Sequence, residues 1–102
     1  MKLNYDNDAL SRFCRERGIA KLELFGSALR EDYRGDGDVD LLCTIRAGVT
    51  CTLFDWVDRK EGLEAIFGRP VDLVSRRAIE RSQNPYRRKA ILSAATPIYV
   101  EG

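Results

Sequence analysis

Residues 36–42, DGDVDLL, place two acids two positions apart at the entrance to an apolar run. Side chains at i and i+2 of a strand point the same way. Asp38 and Asp40 therefore project together, about 7 Å apart along the chain at ~3.4 Å per residue. Like charges that close are unfavourable unless a positive charge sits between them. The sequence has no histidine and no lysine beside the pair, so a divalent metal is the natural counterion. Mg²⁺ takes oxygen ligands and commonly uses one or two carboxylates with phosphates and water. Asp72 is a third acid in an otherwise apolar setting, GRPVDLVS. On an adjacent strand facing the same way it would complete three carboxylates, enough for a pair of metals. Such a site activates an attacking hydroxyl and stabilises a leaving pyrophosphate.

Ten residues ahead of the acids stands Gly26-Ser27. Glycine lets the backbone approach a ligand closely, and the start of a helix offers unpaired N–H groups to phosphate oxygens. Each signal is weak when taken singly. D-x-D occurs three times, at Asp6/Asp8, Asp36/Asp38 and Asp38/Asp40, and the first suits a helix N-terminus. Gly-Ser alone makes a turn and a cap, and Asp72 alone pairs with Arg69 or Arg76. DGDVD also opens like a calcium loop. That loop needs glycine sixth and glutamate twelfth, where this chain has Leu41 and Ala47, and calcium is excluded.

The elements that must hold these groups follow from periodicity. A helix is expected from about Asp8 to Arg17, capped by Asn7 and ended by Gly18. KLELF alternates as a strand with Leu22 and Leu24 on one face. SALRED reads as a helix starting at Ser27, and DYRGDGD as a polar loop. In DVDLLCTI, Val39, Leu41 and Cys43 face one side and Asp38, Asp40 and Leu42 the other. Apolar residues at 53, 56, 57, 63, 66 and 67 give a helical period that Gly68 stops. RPVDLVS is a third strand, residues 85–95 form a helix with Asn84 as cap and Pro85 first, and TPIYV adds a terminal strand. The fold class is α/β (α+β), a small mixed β-sheet flanked by helices in one domain, 1–102.

Composition narrows the chemistry. The absent histidine removes Ser-His and Cys-His catalysis and histidine-ligated zinc. Cys14, Cys43 and Cys51 make no metal pattern and suit reduced thiols. No apolar run approaches the ~18 residues of a membrane span, and no signal peptide is visible, so the expected location is the cytoplasm. The net charge of +1 argues against a general nucleic-acid coat. Residues 76–89 nevertheless hold six basic residues against Glu80, a patch for phosphate or an acidic partner, or simply a solvated helix face.

Gly26-Ser27, ten residues, Asp38-Val39-Asp40 and then Asp72 together resemble the DNA polymerase beta-like nucleotidyltransferase superfamily. More closely, the chain resembles its minimal nucleotidyltransferase (MNT) group, from KLELFGSALR through DVDLLC and GRPVDLVS to RRKAILSAATPIYV. The resemblance implies a polymerase-palm-like sheet. It implies that Asp38, Asp40 and Asp72 hold two Mg²⁺ ions, with Asp72 also helping to activate the acceptor. It implies that Gly26, Ser27 and Arg30 contact the phosphates of ATP. Gly37 is a departure, since many relatives have serine there. The group further implies an antitoxin that transfers AMP from ATP to a tyrosine of a HEPN toxin, in a hetero-oligomer, with no membrane and no direct nucleic-acid binding expected. Two other readings stand beside it: transfer to a small-molecule or RNA acceptor, and a binding module that neutralises its partner by contact.

Overall fold

The computed structural model describes residues 3–26 and 37–101. The SALRED helix, with Ser27 as cap and Arg30 within it, lies outside the described residues, as does most of the DYRGDGD loop. Helix α1 spans Asn7–Glu16 and strand β1 Ile19–Phe25; β2 is Val39–Ile45, α2 Leu53–Phe67 and β3 Val71–Ser75. A short helix α3, Arg76–Glu80, precedes α4, Pro85–Ala94, and strand β4, Thr96–Val100.

The caps explain most boundaries. The Asp6 carboxylate accepts from the backbone N–H groups of Asp8 (3.0 Å) and Ala9 (3.1 Å). Asp6, rather than Asn7, is therefore the cap of α1, because its side chain satisfies two of the N–H groups that have no partner within the helix. Thr52 and Asp55 form a reciprocal capping box at the start of α2, and Asn84 caps α4 ahead of Pro85, as expected. α3 was not anticipated. Ser75 accepts from the N–H of Ala78 and starts this five-residue helix directly at the end of β3.

The sheet order is β3-β2-β1-β4. β1 is antiparallel to both β2 and β4, whereas β2 and β3 run parallel with α2 as their crossover. The mixed sheet with flanking helices is the architecture expected. One face is the dry core, where Leu22 and Leu24 of β1, Val39, Leu41 and Cys43 of β2 and Val71 and Leu73 of β3 meet Leu10 and Cys14 of α1 and Leu63 and Phe67 of α2. Each fully buried leucine contributes about 2 kcal/mol at ~25 cal/mol per Å². α1 and α2 pack closely enough that a Cβ on Gly62 would run into the ring of Phe13. Burial also forces the thiols of Cys14 and Cys43 up to about 12, chiefly by desolvation, so both act as core hydrophobes.

The inward stripe of α2 differs from expectation. Leu63 and Phe67 are buried, but Leu53 and Val57 are exposed, and the intervening inward position is held by Arg59. Its guanidinium donates from Nε (3.0 Å) and Nη2 (2.6 Å) to the carbonyl of Arg17, at the end of α1, and from Nη1 to Cys51 Sγ (3.4 Å). A cation at a helix C-terminus meets the negative end of the helix dipole, which compensates for its burial.

Candidate active site

Strand register decides what the acids can do together. In the parallel pair, Asp40 stands directly opposite Asp72, and in the antiparallel pair Phe25 stands opposite Asp40. Cross-strand partners share a face. Asp40 and Asp72 are therefore neighbours on the sheet face away from the core formed by α1 and α2. Asp40 is half-buried, and Asp38 and Asp72 are exposed. Asp38 precedes β2, one pleat from Asp40.

Gly26 closes the other side of the pair. It follows β1 with φ +76°, a conformation that side chains rarely adopt, and a Cβ there would collide with the carboxylate of Asp40. The backbone at the Gly-Ser turn thus lies against the Asp40 carboxylate, in a space only glycine leaves open. Ser27 and Arg30 lie outside the described residues.

The donor chemistry suits a hard cation, since every candidate ligand is a carboxylate oxygen. Two of the three are brought into register, and the glycine leaves room beside them. Among the described residues, Asp38, Asp40 and Asp72 do not close into a single three-ligand group.

The simplest reading of Asp72, a strand-end acid paired with Arg69 or Arg76, is not seen among the described residues. Arg76 donates to Glu23 Oε1 at 2.6 Å and pairs with Glu80 at 3.3 Å. Glu23 lies opposite Leu42 and so on the same face as the aspartates. It is only 4% exposed, with Lys21 as a second partner at 3.8 Å. Sequence reasoning missed this residue, treating it as the polar member of the alternation in KLELF. Arg76 is thus engaged by Glu23 and Glu80, and Asp72 has no ion pair among the described residues. Leu42, placed on the acid face by the sequence, is nevertheless fully buried there. α3 packs over β2 and β3 and brings the buried Ile79 to the fold without joining it to the main core.

The basic residues of segment 76–89 differ in what they contact. Arg76 turns inward to Glu23, Arg77 reaches the carbonyl of Ile45 (3.5 Å), and Arg88 donates to the carbonyl of Ser82 (2.6 Å). Arg81, Arg87, Lys89 and Tyr86 remain exposed around α4, which buries none of its own residues.

Comparisons with known proteins agree with this geometry. The sequence profile of the nucleotidyltransferase domain family matches residues 7–98. A protein adenylyltransferase, MntA of Thermococcus cleftensis, is 34% identical over 67 residues; the match takes in 65% of this chain and just under two thirds (66%) of that protein. A solved structure described as a minimal nucleotidyltransferase is 34% identical, with a TM-score of 0.66 over 89% of this chain and 87% of that one. A complex of a tri-AMPylated Shewanella oneidensis HEPN toxin with its MNT antitoxin shares the fold at 15% identity, with a TM-score of 0.59 over 93% of this chain and 70% of the other. With a family profile spanning most of its length, and with a mixed sheet that carries an in-register aspartate pair beside a glycine turn, the chain belongs to the nucleotidyltransferase domain family as a minimal nucleotidyltransferase.

Proposed function

We propose that the protein is a protein adenylyltransferase that acts as an antitoxin, moving AMP from ATP to a tyrosine hydroxyl of a HEPN-type toxin partner with which it forms a hetero-oligomer. The observation that carries this reading is the Asp40–Asp72 register with Gly26 packed on Asp40. Two of the relatives add support by what they are: one is a protein adenylyltransferase, the other an MNT antitoxin bound to an AMPylated toxin.

In the reaction, the acceptor oxygen bonds to the α-phosphorus of ATP while the bond to the β-phosphate oxygen breaks. Pyrophosphate leaves, and the acceptor proton passes to a base. Asp38, Asp40 and Asp72 would hold the divalent ions, Mg²⁺ in this reading, whose positive charge stabilises the entering and leaving oxygens. Asp72, exposed at the start of β3, would also receive the acceptor proton. Gly26 opens the backbone to the phosphates, with Ser27 and Arg30 as further phosphate contacts.

The test is the intact mass of the partner after incubation with this protein, ATP and Mg²⁺. The expected result is a gain in whole AMP increments on tyrosine, absent with the Asp38→Asn/Asp40→Asn variant. A stable complex without any mass change would replace transfer by neutralisation through contact.

A further inference from the structure

The parallel strands β2 and β3 have a second end that opens on a cavity. Beyond Cys43 and Ser75, which are register partners, a cavity of about 550 Å³ opens between the sheet and the start of α2. That volume lies within the ~300–1,000 Å³ range of small-molecule sites, which are mostly apolar with few polar groups. The carboxyl ends of parallel strands are also where open α/β sheets bind their ligands.

The walls define what would fit. Ile45, Val49, Leu53 and Trp56 supply an apolar lining with one indole face. Of the residues lining the cavity, Arg77 alone carries a charge. It has no carboxylate partner among the described residues and is steered to the rim by its contact with the carbonyl of Ile45. The start of α2 contributes little to anion binding, because Thr52 and Asp55 already cap it. Cys51 also lines the cavity, with its sulfur held by Arg59.

We propose that this cavity is a second ligand site, for a small molecule with a flat apolar body and one anionic group that pairs with Arg77. The site is separate from the aspartates. Asp40 and Asp72 lie on the other face of the sheet, and Ile45 is five residues further along β2, roughly 17 Å at ~3.3 Å per residue. The inference does not depend on the transfer reaction. Phe54 and Val57 are exposed one stripe further round α2 and do not line the cavity, so an apolar surface alone does not account for it.

The experiment uses 8-anilinonaphthalene-1-sulfonate and its uncharged counterpart N-phenyl-1-naphthylamine as probes on the full chain. Trp56, the only tryptophan, reports binding by fluorescence. Cys51 reports it by protection from N-ethylmaleimide, because Cys14 and Cys43 are buried. The sulfonate is expected to bind at one site, quench Trp56, protect Cys51 and exceed the uncharged probe in affinity by about tenfold, the worth of a charge-assisted contact. Arg77→Gln, a change at an exposed position, is expected to erase that difference. Equal binding of both probes, an advantage unchanged in Arg77→Gln, no protection of Cys51, or displacement by ATP with Mg²⁺ would each overturn the proposal. Displacement by ATP would assign the cavity to the nucleotide instead.

Discussion

The two ends of the β2–β3 pair make opposite use of one backbone register. At the start of the strands, the pairing of Asp40 with Asp72 puts charge on an open face, pressed on one side by Gly26, with Arg76 held in an ion pair by Glu23. Three residues on, the pairing of Cys43 with Ser75 points to the other face, where α2 turns the same spacing into an apolar cavity. The difference teaches that strand period alone sorts charge from cavity. The acids are crowded and electrostatically specified, and the cavity end is roomy, with a single cation.

The most severe way to break that contrast is to neutralise the acid end. Asp40→Asn, with or without Asp38→Asn, is expected to lower transfer by on the order of a thousandfold, the several kcal/mol that bound metal charge supplies. The melting temperature should stay within roughly 5 °C of wild type, since Asp38 is exposed and Asp40 only half-buried. Comparing AMP transfer with thermal melts separates chemistry from folding. A transfer rate that survives the change would remove the aspartates from the reaction.

Next in size is the Arg76–Glu23 pair. Arg76→Ala would leave Glu23 buried with only Lys21 at 3.8 Å and should cost about 3 kcal/mol, as broken buried ion pairs do. Urea unfolding measures it. The double change Arg76→Leu/Glu23→Leu should recover most of that loss, because the cost lies in the orphaned charge rather than in the missing contact.

Gly26→Ala tests the crowding. A side chain at φ +76° meeting the Asp40 carboxylate should cost about 1–2 kcal/mol of stability and reduce transfer with it. Transfer should fall further than the stability loss explains, because the displaced group is a proposed metal ligand.

The smallest effect is the acid limb of stability. Glu64 accepts from the backbone N–H of Val71 (2.9 Å) and from Lys60 Nζ (3.2 Å), fastening α2 to the start of β3 beside Asp72. The Val71 hydrogen bond, then that of Lys60, hold its pKa below the ordinary 4.5. The folded state therefore binds this proton less readily than the unfolded chain. The stabilisation is present above about pH 4.5 and is lost as pH falls through the lower folded value. Glu64→Gln should flatten the decline of stability in that window, as read by melting temperature against pH. Asp55, lowered mainly by the backbone and side chain of Thr52, acts in the same direction and leaves a residual slope.

Much of this was legible without the fold. The alternation in KLELF and DVDLLC correctly placed Leu22, Leu24, Val39, Leu41 and Cys43 in the core, because a period of two is written locally in the chain. Asn84-Pro85 likewise specified a helix start. Errors fell where a residue's partner is distant in sequence. Leu53 and Val57 match a helical stripe but are exposed, since Trp56, Arg59, Leu63 and Phe67 form the inward one; Leu53 borders the cavity instead. Arg59 was invisible as a core residue because its acceptor is a carbonyl at the end of another helix.

By itself, the sequence determined the element types, the absence of imidazole chemistry and the family signature. Each of these depends on residue type or on spacing over a few positions. Only the tertiary structure decided that Asp72 stands opposite Asp40, that Glu23 holds Arg76, and that a cavity with Arg77 at its rim opens at the far end of the same strands. Asp40 and Asp72 are separated by a whole crossover helix, and their register is set by how α2 packs its inward face on the core. Cooperative burial selects that register, and no local pattern records it.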